Sequence, residues 1–107
     1  MRELMKFLNY DSHTVKVGWI DKRTFASLNR NKDEICVNVF LLIAEAFIHE
    51  YMHHKYDVVT QNMKLKDEEK FIDIKTKRKL SRMKVGEIME IAKQVMFISQ
   101  GGDDEGH

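Results

Sequence analysis

The sequence predicts an α+β domain, mainly helical, with a central helix, two or three further helices and a small two- or three-stranded antiparallel sheet. Three features lead there. Two short N-terminal runs alternate with the period of two of a strand, residues 40–56 form a long apolar run without a breaker, and the second half repeats apolar residues at helical spacing. At 107 residues the chain fits one domain, expected over residues 1–98, with an acidic, glycine-rich tail over 99–107.

Leu4, Phe7 and Leu8 share one face of an expected first helix, which ends near residues 9–12, where Asn9, Asp11 and Ser12 cluster. Val15, Val17 and Trp19 alternate with Lys16, Gly18 and Ile20, and Ile35, Val37 and Val39 alternate with Cys36 and Asn38. Each run reads as a strand, and the two are expected to pair. Between them residues 24–28 suit a helical turn, and Asn29-Arg30-Asn31-Lys32-Asp33 is a polar loop. Residues 40–56 carry Leu41, Ile43, Ala44, Phe47, Ile48 and Met52 around most of the circumference, which marks a central helix packed on several sides. Polar residues 57–66 lead to Asp67, a good N-cap, and to a helix carrying Phe71, Ile74 and Leu80. Beyond Gly86 a last helix carries Ile88, Ile91, Val95 and Met96 or Ile98.

Composition narrows the class of protein. Apolar residues at 43% and charged residues at 33% suit a globular chain rather than a disordered or membrane-embedded one. A formal charge of +1 points to no bulk attraction for nucleic acid or anionic membrane. The apolar run at 35–52 is interrupted by Asn38, Glu45, His49 and Glu50, so no membrane span is expected. Residues 1–10 lack the apolar core and cleavage site of a signal peptide, and the single cysteine, Cys36, has no intrachain partner; both agree with a cytoplasmic protein.

Within the central helix stands His49-Glu50-Tyr51-Met52-His53. Histidines four apart leave the same helix face with Cβ atoms roughly 6 Å apart, a span that one metal ion bridges. Glu50 lies about 100° further round, poorly placed as an equal ligand and well placed as a general base toward a metal-bound water. A catalytic zinc ordinarily takes three protein ligands, so the third comes from elsewhere. Asp67-Glu68-Glu69-Lys70-Phe71-Ile72-Asp73 offers carboxylates at a helix start, where the helix dipole favours their ionised form. Glu69 is preferred, because Asp73 shares its face and can accept a hydrogen bond from a ligand imidazole, whereas Glu68 has no such companion. Glu45 is a candidate for a similar supporting role, and His54 faces away as a surface histidine.

His49-Glu50-Tyr51-Met52-His53 followed by Glu69-Lys70-Phe71-Ile72-Asp73 resembles the gluzincin tribe of zinc peptidases, whose pattern is H-E-x-x-H and a later E-x-x-x-D. The length and strand-helix order look most like the minigluzincins, relatives of the catalytic domains of membrane metallopeptidases that process prenylated or misfolded proteins. The resemblance spans residues 15–80. It implies a zincin-like domain and a zinc-dependent metalloendopeptidase acting on peptides or unfolded proteins. It further implies Zn2+ held by His49, His53 and Glu69, Glu50 as general base and acid, and Asp73 behind a ligand. The strand at residues 35–39 would bind substrate backbone as an added strand. No downstream His, Tyr or Arg matches the residue with which many gluzincins stabilise the oxyanion. Two neutral histidines and one carboxylate leave zinc a net positive charge. The acidic tail, with Asp103, Asp104, Glu105, His107 and the terminal carboxylate, is therefore a candidate cover that would make the form latent.

Two rival readings come from other classes. Lys75, Lys77, Arg78, Lys79, Arg82 and Lys84 crowd one stretch, as in nucleic-acid-binding proteins. They read as spread around a helix, with acidic flanks and no interleaved aromatic, which favours a solvated face; nucleic acid is not an expected partner. The other rival is a non-catalytic zinc-binding protein, distinguished by having no need of Glu50. A homodimer is compatible with either reading.

Overall fold

α1 spans Arg2–Tyr10, and a three-stranded sheet follows, built from β1 (Thr14–Val17), β2 (Ala26–Asn29) and β3 (Glu34–Val37). In this computed structural model the backbone is described for residues 1–10 and 14–105, and side chains for 1–9 and 14–98. Asp11 and Ser12, expected to stop α1, lie outside the described residues. The chain divides into two units, Met1–Val39 with the sheet and Phe40–His107 with the remaining helices. The α+β class and the predominance of helix are as expected.

The sheet order is β1-β3-β2. β2 and β3 pair antiparallel, but β1 and β3 pair parallel, with Thr14 opposite Glu34 and Val17 opposite Val37. The expected antiparallel sheet is thus mixed. A parallel pair needs a connection of a dozen or more residues, and the long segment between β1 and β3 supplies it while contributing β2 on the way. β2 also replaces the helical turn expected at residues 24–28. All four of its residues are exposed, so hydrophobic alternation gives no sign of it. The Arg30–Asp33 turn creates it by folding the chain back onto β3: the Asp33 N–H donates to the Arg30 carbonyl at 3.4 Å, and Asp33 sits at φ 49°, a conformation that Asp tolerates.

Asp21 fixes the approach to β2. Its carboxylate accepts the backbone N–H groups of Arg23 and Thr24 at 2.8 and 2.7 Å and the Thr24 hydroxyl at 3.0 Å. The Arg23 backbone bond, then the Thr24 hydroxyl, hold its pKa below the usual carboxylate value. The fully buried Asn38 amide donates to the Asp21 and Thr24 carbonyls at 2.8 and 2.9 Å. Lys16 and Glu34 brace β1 against β3 at 2.9 Å. Because β3 is paired on both sides, it has no free edge for a substrate strand, and that expectation for residues 35–39 is withdrawn; the open edges belong to β1 and β2.

The second unit contains α2 (Val39–Lys55), which begins at the end of the first unit, then α3 (Asp57–Thr60), α4 (Leu65–Arg82) and α5 (Val85–Glu105). Its core is a set of helical stripes: Leu41, Ala44, Ile48 and Met52 on α2, Ile72, Thr76 and Leu80 on α4, and Ile88 and Ala92 on α5, with Met83 between the last two. Each fully buried large aliphatic contributes about 1.5–3 kcal/mol. On α4 the buried isoleucine is Ile72, while Ile74 is 47% exposed, and on α2 Leu42, Phe47 and Tyr51 are also exposed. The central helix therefore buries one stripe rather than several faces.

α4 starts two residues before Asp67, so Lys64 holds the N-cap position and Asp67 lies inside the first turn. Lys84 and Glu87 start α5, with the Lys84 N–H donated to the Glu87 carboxylate at 2.8 Å, half of a capping box. α5 continues to Glu105, so residues 99–105 extend a helix; the charged side chains of Asp103, Asp104, Glu105 and His107 lie outside the described residues. Among the described residues no helix is long and apolar enough to cross a membrane.

Candidate metal centre

The stripe Ile48–Met52 is buried because it faces the core, and one residue further on, His49 and His53 fall at its margin, each with 22% side-chain exposure. On α4 the same offset applies. Ile72 is buried, so Glu68, Glu69 and Asp73 border the buried stripe at its N-terminal end. Both helices belong to the second unit.

At that margin three donors converge. His49 Nε2 and His53 Nε2 are 3.3 Å apart, His49 Nε2 is 3.3 Å from Glu69 Oε2, and His53 Nε2 is 3.0 Å from Glu69 Oε1. The other nitrogen of each ring is held from behind. His53 Nδ1 lies 2.9 Å from Glu68 Oε2, and His49 Nδ1 lies 3.3 Å from Asp73 Oδ1. An ionised carboxylate only accepts, so a neutral ring that donates from Nδ1 to its backing carboxylate presents a lone pair at Nε2. In that tautomer two lone pairs and a carboxylate face one point, an arrangement that is repulsive until a cation or a proton enters it.

The spacing suits a metal ion. Around a tetrahedral zinc with bonds of roughly 2.0–2.1 Å, neighbouring donors stand about 3.3 Å apart, close to the three separations here. His49, His53 and Glu69 are also the group of potential ligands that comes together among the described residues. Backing of a ligand imidazole by a carboxylate is the usual support for such a site. Glu69 keeps 46% of its side chain exposed, so the cluster opens to solvent.

A proton competes for the same place. Burial opposes charge on His53, but the hydrogen bond to Glu68 and the charges of Glu69, Glu50 and Glu68 outweigh it together and raise its pKa above 6.5. Glu50 is exposed, makes no hydrogen bond or ion pair among the described residues, and acts on His53 through its charge.

The residues expected from the sequence are thus brought together: His49, His53 and Glu69 at the centre, Asp73 behind His49, and Glu50 beside them. Glu68 is the addition. It has no partner four residues on in α4, and its partner is His53, on another helix. Spacing within α4 carries no sign of that pairing. Glu45 makes no hydrogen bond or ion pair with either histidine among the described residues, and His54 is exposed as expected. No family model, curated protein or solved structure matches the chain.

Proposed function

We propose that this chain is a zinc-dependent peptidase centred on His49, His53 and Glu69. The observation that carries the reading is the convergence of both Nε2 atoms and the Glu69 carboxylate at separations of 3.0–3.3 Å, with each Nδ1 backed by a carboxylate. Three protein donors leave a fourth position free, the pattern of catalytic rather than structural zinc. When bound, zinc supplies Lewis acidity toward a carbonyl and toward water.

The chain's own residues do the rest. Glu50 stands unpaired beside the ligands, free to take a proton from the attacking water and to return it to the leaving amine. Glu68 and Asp73 fix the ring orientation and keep Nε2 the coordinating nitrogen. Exposed Leu42, Phe47 and Tyr51 on the same helix offer apolar surface to the side chains of an unfolded substrate.

The charge around the site bears on self-inhibition. Glu50, Glu68, Glu69 and Asp73 set four carboxylates against the two charges of the ion, so the centre is net negative. An acidic tail gains no long-range attraction from such a site, which speaks for an open rather than a latent enzyme.

The test is metal analysis of the purified protein together with hydrolysis of an unfolded protein. Wild type is expected to hold one zinc per chain, His49→Ala and Glu69→Ala to lose it, and Glu50→Ala to keep zinc while losing hydrolysis. Less than about half a zinc per chain in wild type overturns the metal reading. Full zinc with unchanged hydrolysis in Glu50→Ala overturns the peptidase reading and leaves a non-catalytic zinc protein.

A further inference from the structure

A second cluster of charge lies elsewhere in the helical unit. Lys55 at the end of α2 and Tyr56 just after it, with Lys75, Arg78, Lys79 and Arg82 from α4, line a cavity of about 260 Å³ that has no acidic residue in its wall. The basic run of α4 is not spread evenly around the helix. Four of its members recur at i, i+3, i+4 and i+7, which is a single stripe, and it is this stripe that faces the cavity. None of the five cations makes an ion pair among the described residues.

Helix dipoles explain only part of this. Lys79 and Arg82 lie in the last turn of α4 and Lys55 in that of α2, where positive charge is favoured, but Lys75 and Arg78 lie further in. Five like charges around one cavity repel one another, and a bound polyanion is what turns that repulsion into affinity.

The aromatic residues decide which part of an anion is read. Lys75 Nζ lies 5.2 Å from the Tyr56 ring centre and 5.3 Å from that of Phe71, and Lys55 Nζ lies 5.5 Å from Tyr56. Phe71 meets Tyr56 edge-on at 5.4 Å. The Tyr56 ring therefore holds ammonium groups in place and is not open for stacking on a base. A cavity of this size is also below the roughly 300–1,000 Å³ of drug-sized ligand pockets.

We propose that this cavity binds a compact polyphosphate, free or as the phosphate chain of a nucleotide, through Lys55, Lys75, Arg78, Lys79 and Arg82. The two arginines supply forked hydrogen bonds to phosphate oxygens, and the lysines supply point charges. The site does not depend on the metal centre.

Isothermal titration of the full chain tests it, using inorganic triphosphate, inorganic phosphate, adenosine triphosphate and a short DNA duplex. Triphosphate is expected to bind once per chain and more tightly than monophosphate, with adenosine triphosphate similar to triphosphate because the base is not read. The double variant Arg78→Gln/Arg82→Gln is expected to weaken triphosphate by about tenfold or more. Lys77→Gln, off the stripe, and the metal-site variant His49→Ala are expected to bind as wild type. The proposal fails if triphosphate shows no saturable binding, or if the double variant binds unchanged. Loss of binding in His49→Ala would place the anion on the metal centre instead and equally overturn it, as would duplex binding that triphosphate does not displace.

Discussion

His53 and Glu68, fifteen positions apart, are joined at 2.9 Å through Nδ1 and Oε2, while the neighbouring Glu69 reaches the opposite nitrogen of the same ring at 3.0 Å. Two consecutive carboxylates thus have different tasks. On the proposed metal reading Glu69→Ala removes a ligand, whereas Glu68→Gln only weakens the backing of one. Glu68→Gln is expected to keep one zinc per chain with affinity lowered about 10–100-fold, measured by competition with a chromogenic chelator. Unchanged affinity would show that the contact is incidental.

The raised pKa of His53 sets a pH dependence in the metal-free protein. A histidine whose pKa is higher folded than unfolded stabilises the fold fully below the unfolded value of 6.5, and that contribution is lost as pH rises through the raised value. Zinc needs the neutral ring, so its affinity falls as pH drops through the same value. Proton NMR titration of the imidazole in metal-free protein checks this, with the His53 pKa expected above 6.5 in wild type and lower in Glu68→Gln. A wild-type value at or below 6.5 would contradict it.

Ile72 and Ile74 separate core from surface on α4. Ile72 is fully buried between the residues that carry the site, and Ile74 is 47% exposed. Ile72→Ala is expected to cost about 2–5 kcal/mol and Ile74→Ala less than about 1 kcal/mol, by denaturant unfolding of each variant. Equal losses would mean that the face of α4 turned inward is a different one.

Asp33 occupies a left-handed conformation in the β2–β3 turn. Asp33→Gly is expected to be tolerated, and Asp33→Val to cost about 1–2 kcal/mol, read from the unfolding midpoint. A neutral valine would exclude the turn geometry described.

On the proposed peptidase reading, removal of residues 101–107 is expected to leave hydrolysis unchanged, since a centre with four carboxylates around one zinc would not attract acidic residues. A rise in hydrolysis on truncation would restore the latent reading.

By itself the sequence determined what local periodicity can encode. A helix places residues four apart on one face whatever it packs against, so the His49–His53 pair and the Glu69–Asp73 pair were legible from spacing, as were α2 and the helical second half. Tertiary structure decided everything that depends on a partner distant in the chain. Glu68 and Glu69 are equivalent until α2 lies beside them, and only then does one face His53 Nδ1 and the other both Nε2 atoms. The exposed β2 exists through its backbone bonds to β3, which leave no hydrophobic signature, and the parallel pairing of β1 with β3 depends on a connection rather than on either strand. The basic stripe of α4 was present in its spacing, but Lys55 and Tyr56, at and just after the end of α2, complete its cavity. Position on one helix is a local property of the backbone, whereas the partner of a charged group is set by packing.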